Sequence, residues 1–185
     1  MDKQLYFDND EDGLNILTSH PVFRQFFSDD LYYDCANEEA PFGNDEGSDT
    51  LYELQDCLRN RHTVDFADFP RWLIEEEWEM TYLPPQSEQT DEQLWQQAAQ
   101  TIDGLPGEQG LLLVDQVILA TAFGQLKITG QLDDKLQNMA FQSLDRQEKM
   151  CRLFWNWQKA EPPNALAIMR RDLTAYANSC QTAKC

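Results

Sequence analysis

Apolar positions are densest over residues 111–128, which read LLLVDQVILATAFGQLKI. At the α-helical period of about 3.6 residues, the polar members Asp115, Gln116, Thr121, Gln125 and Lys127 fall on different sides and leave no clean solvent face. The pattern therefore predicts a helix buried all round, with Leu113, Val117, Ile118 and Phe123 inside. The stretch is short and carries both an acid and a base, which places it in a protein core and not across a membrane. After Gly130, the residues Leu132, Leu136, Met139, Ala140 and Leu144 form the clearest amphipathic stripe in the chain, with Phe141 off it. The spacing predicts an antiparallel helix pair joined by Thr129-Gly130-Gln131. Asp115, Gln116 and Gln125 then need partners, because an unpaired buried polar group costs about 1–3 kcal/mol, and Arg146 or Gln147 on the second helix is placed to supply them. Residues 150–157, MCRLFWNW, continue as helix until Pro162 and Pro163, and Leu166, Met169, Leu173 and Tyr176 stripe a last helix before a frayed tail at 179–185.

Upstream the periodicities are shorter. Ser19 is an N-cap candidate for a helix with Pro21 in its first turn and Val22, Phe23, Phe26 and Phe27 on one side. Leu31-Tyr32-Tyr33-Asp34 reads as a short extended piece, and residues 40–49 as a compact turn system rich in Gly, Asn and Asp. Thr50 and Glu53 make a capping box ahead of Leu51, Leu54 and Leu58. Asp68 caps a helix with Pro70 near its start, running through Trp72 into Glu75-Glu76-Glu77-Trp78-Glu79-Met80. Beyond Pro84-Pro85, a second capping box, Thr90 with Gln93, opens a helix through Leu94, Trp95 and Ala98 to Ile102, closed by Gly104-Leu105-Pro106-Gly107. No period-two pattern is sustained. The expected fold is mainly α: a single-domain bundle of about seven helices around the buried central helix at 111–128, with an irregular acidic N-terminal region. Residues 1–104 form the acidic first half, 105–178 the helical core and 179–185 the tail.

Composition supports a packed core, with 42% hydrophobic and 11% aromatic residues in 185. Charge adds a directional feature: the formal net charge is −19, and residues 1–104 hold 25 Asp and Glu against 5 Lys and Arg, whereas 105–185 hold 8 against 9. Such a field repels nucleic acid and anionic membranes and favours a basic protein partner. The opening MDKQLYFDNDEDG has neither a basic nor an apolar signal region, so a cytoplasmic location is expected. Cys35, Cys57, Cys151, Cys180 and Cys185 are scattered, with no metal-binding spacing, and are expected to be reduced thiols.

Candidate chemistry is sparse. Asp8-x-Asp10-x-Asp12-Gly13 copies the opening of a calcium loop, but the twelfth position is Ser19 where a bidentate Glu is required. Asp45, Glu46 and Asp49 form a carboxylate cluster that turn and cap roles explain without an ion. His20 and His62 stand alone and no catalytic glycine or serine motif occurs, so no catalytic residue, metal or cofactor is assigned. Trp72 and Trp78 beside Glu75, Glu76, Glu77 and Glu79 combine aromatic anchors with charges that select a basic partner, although the same tryptophans serve equally well as core. The partner-binding set is therefore Asp45, Glu46, Asp49, Trp72, Glu75, Glu76, Glu77, Trp78 and Glu79. The function expected from it is that of an acidic, non-enzymatic binding protein, an inhibitor or immunity protein masking a basic partner such as a nuclease toxin. A regulatory interaction module, or a hydrolase using paired carboxylates, are the alternatives.

His20-Pro21, Tyr32-Tyr33, the run Ala40-Pro41-Phe42-Gly43-Asn44-Asp45-Glu46-Gly47-Ser48-Asp49-Thr50-Leu51, Gly130-x-Leu132-Asp133 and Arg146-Gln147 resemble, in this order, the bacterial proteins called YfeS-like. The Pro-Phe-Gly-Asn-Asp-Glu-Gly-Ser-Asp run is the specific part, and the 185 residues leave no room for the WGR-type domain associated with that group. The resemblance implies a bacterial cytosolic protein and carries over no functional residues.

Overall fold

The computed structural model describes residues 4–60, 63–154 and 164–183. It is mainly helical: α1 (Pro21–Phe26), α2 (Asp45–Arg59), α3 (Phe69–Trp72) running into a π-helical turn (Leu73–Glu77), α4 (Asp91–Ala98), the two-residue strands β1 (Thr101–Ile102) and β2 (Leu105–Pro106), α5 (Gly107–Thr129), α6 (Asp134–Leu153) and α7 (Asn164–Ala183). Helix α5 is the axis. Val114, Val117, Ile118, Ala122, Phe123 and Leu126 are fully buried, while Leu113, expected inside, is only half-buried. Among the described residues α5 alone is long and apolar enough to cross a membrane, and 89% of its most apolar stretch is covered by the rest of the protein.

Helix α5 starts four residues earlier than its apolar run because a hairpin delivers it. Asp103 (φ 52°) and Gly104 (φ 82°) turn β1 antiparallel onto β2, pairing Ile102 with Leu105. Helix α4 therefore ends at Ala98 and not at Ile102, and the Gly104–Gly107 stretch opens α5 instead of closing α4. Gly107 has no alternative: a Cβ there would sit 2.3 Å from the Gln97 carbonyl oxygen. The capping box at Thr90 and Gln93 forms as expected, each side chain bonding the other's backbone.

The carboxyl end of α5 has carbonyls with no partner inside the helix, and those of Leu126, Lys127 and Ile128 find one beyond it. Gly130, left-handed at φ 68°, donates to Leu126; His20 N donates to Lys127 O at 2.8 Å; Tyr6 N donates to Ile128 O at 3.0 Å. The Lys127 ammonium, itself fully buried, donates to the Asp8 carboxylate at 2.6 Å. Asp8 also accepts from Thr18 Oγ1 and Gln55 Nε2, and its backbone is held by Gln55 and Arg59 of α2. The acidic arm is thus a clamp on α5. The histidine caps α1 through Nδ1, which accepts from Val22 N, in place of the expected Ser19.

Helices α5 and α6 form the expected hairpin, closed by Asp133, whose carboxylate caps α6 and whose N–H donates to Gln125 Oε1. Leu132 precedes the helix. At the far end Arg146 grips Asp115 with two bonds of 3.0 and 2.9 Å and donates to the carbonyls of Leu83 and Leu111. Burial raises the Asp115 carboxyl to about 6 although the Arg146 guanidinium opposes the shift, and Ser143, otherwise unpartnered, lies beside it. Helix α2 crosses α5 at Gly124, where an added Cβ would meet Leu54 at 3.0 Å. Leu166, Met169, Leu173 and Tyr176 of α7 are buried as expected, and Phe23, Phe27, Tyr32, Phe123 and Tyr176 form one aromatic layer beneath it. The Tyr32 hydroxyl within this layer donates to Asp172 at 3.1 Å.

Other local expectations change. Residues 30–33 form a 3-10 turn capped by Asp29, not an extended piece. Helix α2 begins at Asp45, with Asn44 as its cap: Asn44 Oδ1 accepts from Gly47 N at 2.7 Å while its amide donates to the carbonyls of Ala40 and Glu38. Thr50, expected to cap, lies inside the helix and bonds Glu46 O. Gly43 and Gly47 are required by close approach, since a Cβ would meet Asn37 O at 2.1 Å and Pro41 O at 2.2 Å. Asp68 precedes α3 without a side-chain cap bond because Arg71 occupies it. Residues 179–183, expected to fray, are the last turn of α7. His62, residues 155–157, Pro162, Pro163 and Cys185 lie outside the described residues.

Four outcomes are expected. Ile118→Asp should abolish the cooperative thermal transition, because it places an unpaired charge at a fully buried position. Arg146→Met should lower stability by about 3–5 kcal/mol in urea unfolding by stranding Asp115, and adding Asp115→Leu should recover most of the loss; a silent single variant would contradict the buried pair. Asn44→Ala should cost about 1 kcal/mol, and calorimetric titration with calcium should find no site tighter than about millimolar.

Candidate functional site

Helix α2 carries a group of carboxylates with no ion-pair partner among the described residues. Its inner stripe, Leu51 and Leu54, is spent on α5, so the spacing i, i+3, i+4, i+7 turns Asp49, Tyr52, Glu53 and Asp56 outward. Tyr52 is 64% exposed at the centre of this face. Glu77, from the π-helical turn that follows α3, approaches the same group. Burial raises the Glu53 carboxyl, and the charges of Asp56, Glu77 and Asp49 raise it further. The neighbouring Cys57 thiol is raised by burial and then by Glu53, Asp56 and Glu77, so it is not an activated nucleophile. Among the described residues none of these four carboxylates has an ion-pair partner; Asp56 accepts one amide bond from Asn60.

The sequence-predicted site residues divide. Asp49 and Glu77 join the α2 face. Asp45 and Glu46 lie in the first turn of α2, where the helix dipole favours them, and border a cavity of about 730 Å³ instead. Glu75 is exposed and reaches Arg71 at 3.4 Å, and Glu76 and Glu79 are exposed, Glu79 with a left-handed backbone (φ 54°). Trp72 and Trp78 are half-buried against the core, Trp72 tilted on Phe69 at 5.5 Å, so much of each ring serves packing. Trp72 also lines a hollow of about 350 Å³ with Cys57, Val64 and Asp65. Sequence reasoning missed Tyr52, Glu53 and Asp56. The signal was present as the complement of the Leu51 and Leu54 stripe, but assigning Glu53 to a capping box removed it from the surface.

The carboxylates of the N-terminal arm serve structure. Asp8 is committed to Lys127, and Asn9 and Asp12 close a turn around Gly13. Among the described residues no group of three or more His, Cys, Asp or Glu is placed to hold a metal ion.

No protein-family profile and no solved structure matches the chain. A match is found to "Uncharacterized protein YfeS" of Escherichia coli (strain K12), 38% identical over 174 residues, which cover 92% of this chain and 67% of that protein. The motifs that suggested the resemblance are spread from α1 to α6 of one connected helical framework, and with that extent of identity the chain belongs to the YfeS family.

Proposed function

We propose that the protein is a non-enzymatic acidic binding module of the cytoplasm, of the inhibitor or immunity type, which masks a basic protein partner such as a nuclease. The observation that carries this reading is the α2 face: Asp49, Asp56 and Glu77 crowd Glu53 beside the exposed Tyr52 ring, and among the described residues none of the four carboxylates has an ion-pair partner. Like charges held together raise the free energy of the unbound protein, and arginine or lysine from a partner removes that penalty on binding. An aromatic ring enclosed by charge is also the usual composition of an interface anchor with its rim. Asp45, Glu46, Glu75, Glu76 and Glu79 extend the field from which a basic partner is steered.

Capture of a stoichiometric basic protein by the full chain in its native cell, followed by stopped-flow association, tests the proposal. Replacing Glu53 and Glu77 by Gln and Asp56 by Asn together should slow association about tenfold at low salt and flatten its dependence on ionic strength. Tyr52→Ala should act on the dissociation rate instead. An unchanged rate and salt slope in the triple variant, or a partner footprint confined to residues 105–183, would defeat this reading.

A further inference from the structure

The cavity beside Asp45 and Glu46 is separate from the α2 outer face. It lies between the 35–46 loop and helices α5, α6 and α7, and its volume of about 730 Å³ falls within the range of small-molecule sites, about 300–1,000 Å³. Its chemistry is segregated. Glu38, Glu39, Asp45 and Glu46 stand along one side, and among the described residues no Lys, Arg or His lines it. Leu119, Cys151, Leu166 and Met169, all buried, form an apolar floor. Glu39 lies near that floor: the Cys151 thiol, pushed up to about 11 mainly by burial, is raised further by the Glu39 carboxylate.

A second observation points to an occupant. Gln147 is only 8% exposed, borders this cavity, and has no hydrogen-bond partner among the described residues. Its neighbour Arg146 uses its guanidinium on Asp115, Leu83 and Leu111. Its amide atoms are not sealed in the core but open to the cavity, so an amide with no protein partner at this wall offers a ligand's polar group both a donor and an acceptor. The amide oxygen accepts, the carboxylates demand positive charge, and the floor demands hydrocarbon.

We propose that this cavity binds a small organic polycation of the alkyl polyamine class. An ammonium group lies among Glu38, Glu39, Asp45 and Glu46, the methylene stem lies on Leu119 and Met169, and a second nitrogen donates to Gln147. The stem is what separates this ligand from an inorganic cation, and the apolar floor beside the carboxylates is what separates it from counterions gathered loosely by an acidic surface. The proposal is independent of the α2 outer face, which lies on another side of the same helix.

Titration calorimetry of the full chain with spermidine, and with hexaamminecobalt(III) as a trication that has N–H donors but no hydrocarbon, tests it. Spermidine should saturate one site and bind at least about tenfold tighter than the cobalt complex at equal ionic strength. Gln147→Leu and Glu46→Gln should each weaken spermidine about tenfold, and Gln116→Trp, on the partly open wall, should abolish binding with the melting temperature retained. Should Gln147→Leu fail to fold, the Glu46 and Gln116 variants decide the question. Glu53→Gln with Glu77→Gln should change nothing here, so failure of the outer-face reading and failure of this one are distinguishable. Equal affinity for both trications, several weak equivalents, indifference to the three cavity variants, or binding of a lysine-bearing peptide where spermidine does not bind would overturn the assignment.

Discussion

Burying α5 on every side forces two charges, Asp115 and Lys127, out of water, and the rest of the molecule is arranged to meet them. Each is fully buried, and a lone charge in such a place would cost several kcal/mol. The sequence meets the first from α6, through Arg146, and the second from the N-terminal arm, through Asp8. Neither pair is chiefly a source of net stability, because desolvation offsets most of the attraction. Their effect is on register. Helix α6 satisfies Asp115 only when Arg146 lies level with it, and the arm satisfies Lys127 only when it also delivers Tyr6 and His20 to the terminal carbonyls. One constraint therefore fixes the hairpin, the arm and, through Gln55 and Arg59, the carboxyl end of α2.

How far this was legible depends on the sequence distance of the partner. The α5 burial, the α6 and α7 stripes, the Gly130 stop and the Asp115–Arg146 pairing all follow from local periodicity plus one tight turn. Asp8 was not legible as the counterion of Lys127, 119 residues away, because nothing local distinguishes a carboxylate bound to a distant lysine from one in a degenerate calcium loop. The start of α2 failed for another reason. Asn44 with acidic Asp45 and Glu46 and Thr50 with Glu53 are both sound N-terminal signals, and the choice rests on the close approach of Gly43 and Gly47 to backbone carbonyls, which is tertiary. At β1, a two-residue hairpin is too short to leave any alternation.

The charge asymmetry was correct in total but coarse in position. Many acids of the first half are used within the chain: Asp29, Asp34 and Asp65 accept backbone N–H groups in turns, Asp68 holds Arg71, and Asp103 accepts both the N–H and the hydroxyl of Thr81. Subtracting these leaves a smaller set on the surface, which includes Glu76, Glu77 and Glu79 of the acidic run. On α2, helical spacing aligns Asp49, Glu53 and Asp56, and the turn after α3 adds Glu77.

Helix α2 is accordingly the element where architecture and candidate function meet. Its middle is pinned by Leu51 and Leu54 against Gly124, its start by the Asn44 cap, and its end by Gln55, which accepts from Asp8 N, and Arg59, which donates to Asp8 O. A helix fixed at three points cannot relieve repulsion on its outer face by tilting or fraying, so the carboxylates stay close together in the unbound protein. The same fixation means that a partner binding there does not have to order the backbone first, and less of its interaction energy is lost to conformational entropy. The buried charges of α5, by anchoring the arm that anchors α2, thus contribute to a surface with which they have no contact.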